Sequence, residues 1–343
     1  MGDCGICEII DLRRYPVKSM LGESLTTSEL SSRGLAGDRT HALVHTGTGK
    51  IASAKHPRLW RDLLALVATA TGDGVRVAAP DGTTVESTDP AVDEVLSRFV
   101  GQPVTLIDTP PAVATFDRAR PDAVLRDGID ADVPVDVGHL AGRAPAGTFF
   151  DFAPIHLVTT ATLRRIDRLG RIDRPGRTDR PGRTDRLGRT DRLGRTADPS
   201  RVVEPGRADR PTRSEVSDGI DEFGPEALAI RYRPNIVVGW PDDAGGEGAL
   251  DNGAFVEDAW VGRRIGLGDE VVLRVIARTP RCAIPTLAHG GLPRDVQALR
   301  VLADHHRIVP LTGLGDQPCA GVYAEPVRTG HVRLGDRVRL IDQ

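Results

Sequence analysis

The chain has 343 residues, a formal net charge of −3 and a hydrophobic fraction of 39%. This composition excludes a wholly disordered chain, and because no apolar run is long enough to cross a membrane as a helix, we expect no membrane association. The length predicts two domains. Four cysteines do not form a disulfide framework in a chain this long, and the N-terminus lacks a secretion signal, so we expect a cytoplasmic location.

The first predicted domain, residues 1–110, is rich in β-strands. Alternating apolar and polar residues, an Asp-Gly turn and one stretch of helical spacing mark its elements. These are strands at 8–15, 37–44 and 104–107, a hairpin at 75–85, and a helix at 91–100 that ends at Gly101.

The second predicted domain comprises residues 111–343. It begins with a weakly periodic stretch, 111–148, which we expect to form a linker or long surface loops. Its predicted elements are a buried strand at 149–158, a helix from 160 to about 166, a strand at 227–238, a turn and strand at 265–275, a helix around 295–304 and a strand at 332–340. Such strands suggest a closed or half-closed β-barrel, in a fold that is mainly β with some helix (α+β).

A low-complexity insert interrupts the second domain at about 165–222. Five hexads that begin at Arg165 hold ten Arg and five Asp residues. A period of six suits neither a helix nor a strand, and the hexads have too few apolar side chains to offset chain entropy, so we predict a disordered insert. The alternative is an Arg-rich tether for nucleic acid. Because Asp residues are interleaved and aromatic residues are absent, we expect no nucleic-acid binding.

Cys282 is a candidate functional residue at the end of a predicted strand. It lies between Pro280 and Pro285 and directly follows Arg281. A neighbouring cation lowers the pKa of a thiol, and the thiolate is the form that binds metals or attacks substrates. The alternative is a buried structural cysteine.

A second candidate group consists of polar residues at strand ends. Lys18 and Ser19 follow the first strand and could offer a cation, a hydroxyl and backbone N–H groups to one anion. Arg39 and Arg233 lie at other strand edges, and Asn235 follows Arg233 closely. Each residue alone is more often a surface ion-pair partner, so the hypothesis of an anion site requires that they converge.

Two further patterns carry weaker signals. Cys4 and Cys7 form one C-x-x-C pair without a second pair to complete a zinc site, and we expect this pair to be frayed and incidental. Glu257 and Asp258 could supply acid–base chemistry or stabilise a turn.

Six short motifs, taken together and in order, resemble the MOSC proteins (molybdenum cofactor sulfurase C-terminal domain). The motifs are Tyr15-Pro16-Val17-Lys18-Ser19, Gly37-Asp38-Arg39, Tyr232-Arg233-Pro234-Asn235, Glu257-Asp258-Ala259-Trp260, Arg281-Cys282 with Pro285-Thr286, and Gly321-Val322-Tyr323-Ala324. The nearest pattern is that of the mitochondrial amidoxime-reducing component and its bacterial relatives. The resemblance implies a MOSC N-terminal β-barrel-like domain followed by a MOSC β-barrel domain.

The resemblance also implies a molybdenum–pterin cofactor of the molybdopterin type. Cys282 matches the family cysteine whose thiolate binds molybdenum, and Asp151 matches an aspartate near the metal that could assist proton delivery. The residues implied to contact or support the cofactor are Lys18, Ser19, Arg39, Arg233, Asn235 and Arg281. The family is further associated with pyridoxal phosphate binding.

The implied reaction is the two-electron reduction of a small N-hydroxylated substrate, such as an amidoxime or a hydroxylamine. We expect the electrons to come from a separate donor protein of the ferredoxin, flavoprotein or cytochrome type. Two alternatives remain. Cys282 could carry a persulfide for sulfuration of the cofactor, or the chain could bind the cofactor without turnover.

Overall fold

Short β-strands make up most of the regular structure of the chain, of which the computed structural model describes residues 7–140, 143–173, 225–239 and 255–341. The strands are β1 (Cys7–Arg14), β2 (Glu23–Ser24), β3 (Thr27–Ser31), β4 (Gly34–Leu35), β5 (Ala42–His45), β6 (Val67–Ala70), β7 (Val75–Ala78), β8 (Thr84–Glu86), β9 (Val104–Ile107), β10 (Thr115–Ala119), β11 (Val135–His139), β12 (Ile155–Thr159), β13 (Ile236–Gly239), β14 (Arg264–Leu267), β15 (Val271–Pro280), β16 (Arg307–Ile308), β17 (Gln317–Arg328), β18 (Gly330–Arg333) and β19 (Arg337–Ile341). The helices are α1 (Pro57–Trp60), α2 (Val92–Val100), α3 (Pro121–Asp127), α4 (Thr160–Ile172), α5 (Pro225–Tyr232) and α6 (Gln297–His305). Within these described ranges, no helix has both the length and the apolar character that a membrane span requires.

Seven of the strands close into a β-barrel, in the order β12, β13, β1, β19, β14, β15 and β17. β17 pairs with β12 and completes the ring. Neighbouring strands run antiparallel except β12 and β13, which are parallel. The prediction of a mainly β fold with a barrel and some helix is confirmed.

Alternating side chains fill the barrel interior. In β15, Val271, Leu273 and Val275 are fully buried, whereas Arg274 between them is exposed. Strands with this period of two place every second side chain on one face. The buried residues of β1 and β17 join the same core cluster, so the interior is packed and the space for a ligand lies at the ends of the strands.

The N-terminal region contributes both to the barrel and to smaller sheets. β1 pairs with β13 and with β19, so the first strand is part of the barrel wall. β5 pairs with β9, and β6, β7 and β8 form a three-stranded sheet. The predicted hairpin is present as β7–β8, and the predicted helix is present as α2, which ends at Gly101 with φ 67°. The domain division at residue 110 stays a prediction.

The strands predicted at 37–44 and 149–158 begin only at Ala42 and Ile155. Two further predictions are wrong in the type of element. The stretch predicted to be a linker contains the paired strands β10 and β11, separated by α3. Its strands are short, and only Phe116 and Ala119 of β10 are buried, so the period-two signal is weak. Residues 227–232 belong to helix α5 rather than to a strand. Ala and Leu are strong helix formers, and Ala229 and Tyr232, three residues apart, face the core.

Helix α4 is longer than predicted and includes the first hexad of the repeat. Its apolar residues Leu163, Ile166 and Leu169 recur every three residues and pack with Val301 and Leu302 of α6. Burying one such side chain stabilises the fold by roughly 1.5–3 kcal/mol, so the helix continues through this hexad to Ile172. The insert therefore begins later than residue 165. Its remaining residues, for which we predict disorder, lie outside the described ranges.

Candidate cofactor site

The loop after β15 fixes the position of Cys282. The backbone N–H of Arg281 donates to the carbonyl oxygen of Pro318 at 2.7 Å, so the β15–β17 pairing extends to the residue before the thiol. A 3₁₀ turn at Ile284–Thr286 with Pro285 follows directly. Cys282 is 8% exposed and lines a cavity at this end of the barrel.

This cavity brings together all eight predicted site residues. The empty space of the cavity, including its open mouth, is about 800 Å³. The predicted residues in its lining are Lys18, Ser19, Arg39, Asp151, Arg233, Asn235, Arg281 and Cys282. They come from the loops after β1 and β15 and from the loops before β5, β12 and β13, so the fold supplies the convergence that their spacing in the sequence does not show.

Three residues of the lining have an unusual backbone. Ser19, Arg39 and Arg233 have φ values of 66°, 48° and 54°, and they are the only non-glycine residues with positive φ in the described part of the chain. Side chains other than glycine adopt the left-handed region at a cost of roughly 1–2 kcal/mol. Such strain is concentrated at functional sites.

Arg233 is a buried cation with unused hydrogen-bonding capacity. Its Nη2 donates to the carbonyl oxygen of Met20 at 2.6 Å, and its guanidinium lies 4.3 Å from the centre of the Tyr15 ring. Its Nη1 is buried and has no hydrogen-bond partner among the described residues. Burial lowers the pKa of Arg233 to about 10, so the side chain is still charged at neutral pH. A buried donor without a partner is costly unless a ligand satisfies it.

Arg39 adds a second cation over the same ring. Its guanidinium lies 4.5 Å from the centre of the Tyr15 ring, and its Nη1 donates to Asp38. Asp38 also accepts hydrogen bonds from the backbone N–H of Tyr15 and from Nδ2 of Asn235. Both arginines are therefore held in place by stacking on Tyr15, and in addition Arg39 is held by the buried carboxylate of Asp38 and Arg233 by the carbonyl oxygen of Met20.

Asp151 bridges two lysines on another wall. Its carboxylate is 2.5 Å from Nζ of Lys18 and 3.0 Å from Nζ of Lys55. Burial lowers the pKa of Lys18 to about 8, although Asp151 opposes this shift. Burial alone would raise the pKa of Asp151, but the two ammonium groups hold it well below its usual range. Asp151 is therefore an ionised carboxylate at neutral pH. Lys55 is not among the residues predicted from the sequence.

The other predicted residues of the lining are hydrogen-bonded to protein groups. The guanidinium of Arg281 donates to the carbonyl oxygens of Ala320 and Tyr232 and to His156. Burial and the charge of Arg281 hold the pKa of His156 well below its usual range, so the imidazole is neutral and accepts from Arg281. Asn235 Oδ1 accepts from the backbone N–H of His156. These contacts hold the strands around the thiol.

Ser19 and Glu257 also have structural contacts. Oγ of Ser19 accepts from the backbone N–H of Ala54. Glu257 is fully buried and accepts from the hydroxyls of Thr159 and Thr162 at the start of α4. Of the two roles considered for Glu257, the contacts favour the stabilisation of a turn and helix start.

Of the two cysteines of the C-x-x-C pair, only Cys7 lies within the described residues. Cys7 is buried in the first position of β1 and is not frayed. Cys4 lies outside the described residues. The expectation of a frayed pair is therefore wrong for Cys7.

Two family models match the chain. The MOSC N-terminal beta barrel domain matches residues 6–118, and the MOSC domain matches residues 212–339. A comparison with curated proteins finds no match. The first match contains Lys18, Ser19 and Arg39, and the second contains Arg233 and Cys282. MOSC domains are associated with binding of the molybdenum cofactor. The chain belongs to the MOSC domain proteins and carries that family's N-terminal β-barrel domain in front of the MOSC domain.

Proposed function

We propose that the chain binds a molybdenum–pterin cofactor and reduces N-hydroxylated compounds such as amidoximes. One observation carries this proposal: the thiol of Cys282 and the cations Lys18, Arg39 and Arg233 line the same cavity. A soft sulfur ligand suits a molybdenum ion, and a group of fixed cations suits a phosphate.

The residues present fit such a cofactor. Buried Nη1 of Arg233 lacks a partner among the described residues, so a phosphate oxygen would satisfy it. Arg39 is fixed over the Tyr15 ring and would add a second positive charge. Cys282 would hold the metal through its thiolate, with Arg281 braced behind it by backbone carbonyls.

The cofactor, when bound, supplies a two-electron redox couple that can take an oxygen atom from a substrate nitrogen. The reduction of an N–OH group to N–H with release of water consumes two electrons and two protons. The chain must therefore bind the substrate close to Cys282 and hold a proton there. The electrons would come from a separate donor protein of the ferredoxin, flavoprotein or cytochrome type.

The Lys18–Asp151 pair is the candidate proton carrier. With a pKa of about 8, Lys18 is protonated near neutral pH and can release a proton without a large penalty. Asp151 is ionised and accepts from Lys18 at 2.5 Å, so it positions the ammonium group and does not supply the proton itself.

Metal and pterin analysis of protein from a molybdenum-replete host tests the proposal. We expect about one molybdenum per chain in the wild type, and a loss of most of it in Cys282→Ser. Cys319→Ser is the matched control, because Cys319 is also buried but lies outside the cavity lining. The loaded wild type should reduce benzamidoxime with a reduced viologen dye as electron donor. A wild type as free of molybdenum as Cys282→Ser would contradict the proposal.

Two other functions would give different results in the same samples. A persulfide carrier would show cyanide-labile sulfur on Cys282 and no reduction of benzamidoxime. A binding module without turnover would hold one molybdenum per chain and reduce nothing. Either result would contradict the reductase activity while leaving the cavity's role in binding intact.

A further inference from the structure

A second cavity adjoins the first and shares Cys282 with it. Its empty space with the open mouth is about 910 Å³, slightly more than that of the first cavity. The residues common to both linings are Lys55, Asp151, Pro280, Cys282 and Tyr323. Because Cys282 stands at the boundary, a molecule in the second cavity reaches the thiol without entering the cationic cavity.

Apolar and aromatic side chains form most of the walls of this second cavity. The apolar members of the lining are Phe116, Val137, Phe152, Ala277, Pro280, Pro310, Leu311, Leu314 and Tyr323. The rings of Phe152 and Tyr323 are 5.3 Å apart. The Phe116 ring lies across Gly138, its partner in the β10–β11 pairing, where an added Cβ would come within 2.5 Å of the ring. The glycine therefore keeps this aromatic wall in place.

The charged side chains of the same lining all contact other protein groups. Lys55 and Asp151 pair with each other at 3.0 Å, and Asp136 pairs with Arg120. Arg278 lies 3.3 Å from Asp258, and Arg118 donates to the carbonyl oxygen of Arg281. Nε of Arg118 and Nε of Arg278 are buried and have no hydrogen-bond partner among the described residues. The lining thus holds three cations, Lys55, Arg118 and Arg278, and two carboxylates, so a cationic substituent on a ligand would meet net positive charge, whereas an apolar substituent would not.

Exposed apolar residues surround the opening of the second cavity. Val137, Leu311 and Leu314 are 54%, 36% and 52% exposed although they line it. Val135 on the same strand and Val309 on the same loop are exposed as well. A cluster of exposed apolar side chains on a protein surface is typical of a binding site.

We propose that the second cavity admits the substrate and selects compounds with an apolar body over compounds with a cationic one. This inference rests on the proposed function, because it places the reacting N–OH group of the substrate at the Cys282 end of the cavity. The aromatic walls would hold the body of the substrate, and Leu311 and Leu314 would set the preference at the opening.

Two ligands of equal shape test the charge preference. The 4-tert-butyl and 4-trimethylammonio derivatives of benzamide differ by one positive charge and cannot be reduced. We expect calorimetry to show that the tert-butyl compound binds at least about tenfold more tightly, because both compounds carry three methyl groups but only the cation must be desolvated and meets a lining with more cations than carboxylates. Equal binding of the two compounds would overturn the inference.

Substitutions at the opening test the residues. Leu314→Asp places a charge there and should raise the KM for 4-tert-butylbenzamidoxime by about tenfold, with kcat and the molybdenum content unchanged. The KM for acetamidoxime, which lacks the apolar body, should rise much less. Leu334→Asp is the matched control, because Leu334 is similarly exposed but does not line the cavity.

The possible outcomes separate the two proposals. The protein could contain a full complement of molybdenum and reduce acetamidoxime, yet show no preference for the tert-butyl substrate or a preference that Leu314→Asp leaves unchanged. This result would overturn the proposed substrate cavity alone. Absence of molybdenum and of any reduction would contradict the proposed function. Tight binding of the tert-butyl benzamide that Leu314→Asp abolishes would support the cavity in either case.

Discussion

The barrel wall and the loops at its cavity end follow different rules. In the barrel strands, buried aliphatic residues such as Leu273 and Val275 alternate with exposed ones. In the loops, Ser19, Arg39 and Arg233 have left-handed backbone conformations, and no non-glycine residue of the barrel strands does so in the described ranges. Arg233 also keeps a buried donor without a described partner. The barrel wall thus stabilises the fold. The loops hold the cations in a fixed geometry, and their strained backbone and the unpaired donor lower the stability of the folded chain.

The largest expected effect is the loss of cofactor from Arg233→Met. The variant keeps much of the side-chain volume but removes the donors that face the cavity. A hydrogen bond to a charged group contributes about 1.5–3 kcal/mol, so we expect molybdenum and pterin content to fall at least about tenfold, with little change in Tm. Arg274→Met is the control, since Arg274 is exposed and pairs with Glu325 on the barrel surface. A full molybdenum complement in Arg233→Met would show that the loop cation is not needed for cofactor binding.

Leu273→Ala should give the opposite pattern. Leu273 is fully buried in the barrel core, and Leu→Ala changes at such sites lower the free energy of unfolding by about 2–5 kcal/mol. We expect this loss in urea unfolding of the cofactor-free protein, and an unchanged ratio of molybdenum to folded chain. The partly exposed Leu340 of β19 provides the control variant Leu340→Ala. If Leu273→Ala removed the cofactor from chains that stay folded, cofactor binding would depend on the packing of the barrel core.

The pH dependence of stability should report on buried Lys18. Its pKa falls from 10.5 to about 8 on folding, so the unfolded chain binds this proton more tightly than the folded chain. The free energy of unfolding should therefore rise between about pH 8 and pH 10.5, by roughly 3 kcal/mol from this group.

The difference between wild type and Lys18→Met isolates that contribution, because other groups titrate equally in both proteins. Urea unfolding of the cofactor-free proteins across this pH range measures it. Lys50→Met is the control, because Lys50 is more than a third exposed and pairs with Asp117. A constant difference between wild type and Lys18→Met would show that the proton affinity of Lys18 is not reduced by burial.

The smallest expected effect compares two variants of Ser19. Ser19→Gly and Ser19→Ala both lose the hydrogen bond from Ala54, but only glycine adopts a φ of 66° without strain. We expect Ser19→Gly to be the more stable of the two by about 1 kcal/mol, measured by thermal unfolding. Equal stability would mean that this loop stores no backbone strain.

Most of the barrel could be predicted from the sequence because alternation is a local signal. Outside the barrel, the hairpin β7–β8 and the helix α2 could be predicted because the residues that form the turn and end the helix lie within a few positions of each element. Helix α5 could not be distinguished from a strand, since its short apolar run fits either period. Strands β10 and β11 escaped prediction because little of their surface is buried.

The cavity could be predicted only as a set of separate residues. Cys282, Lys18 and Arg233 each stand at a strand end, where functional side chains are frequent, but their meeting depends on which strands pair. Lys55 and His156 carry no local signal. Lys55 matters because it faces Asp151, and His156 because it accepts from Arg281, and both contacts are long-range.

The position of β1 has a consequence for how the molecule is assembled during synthesis. The end of this strand, Arg13 and Arg14, pairs with the nearby β2. The rest pairs with β13 on one side and with β19 on the other, so these hydrogen bonds form only with segments that leave the ribosome much later. Contacts between such distant segments slow folding. The early part of the nascent chain would therefore present an unpaired strand edge, and uptake of any large ligand at the barrel end would be a late event in maturation.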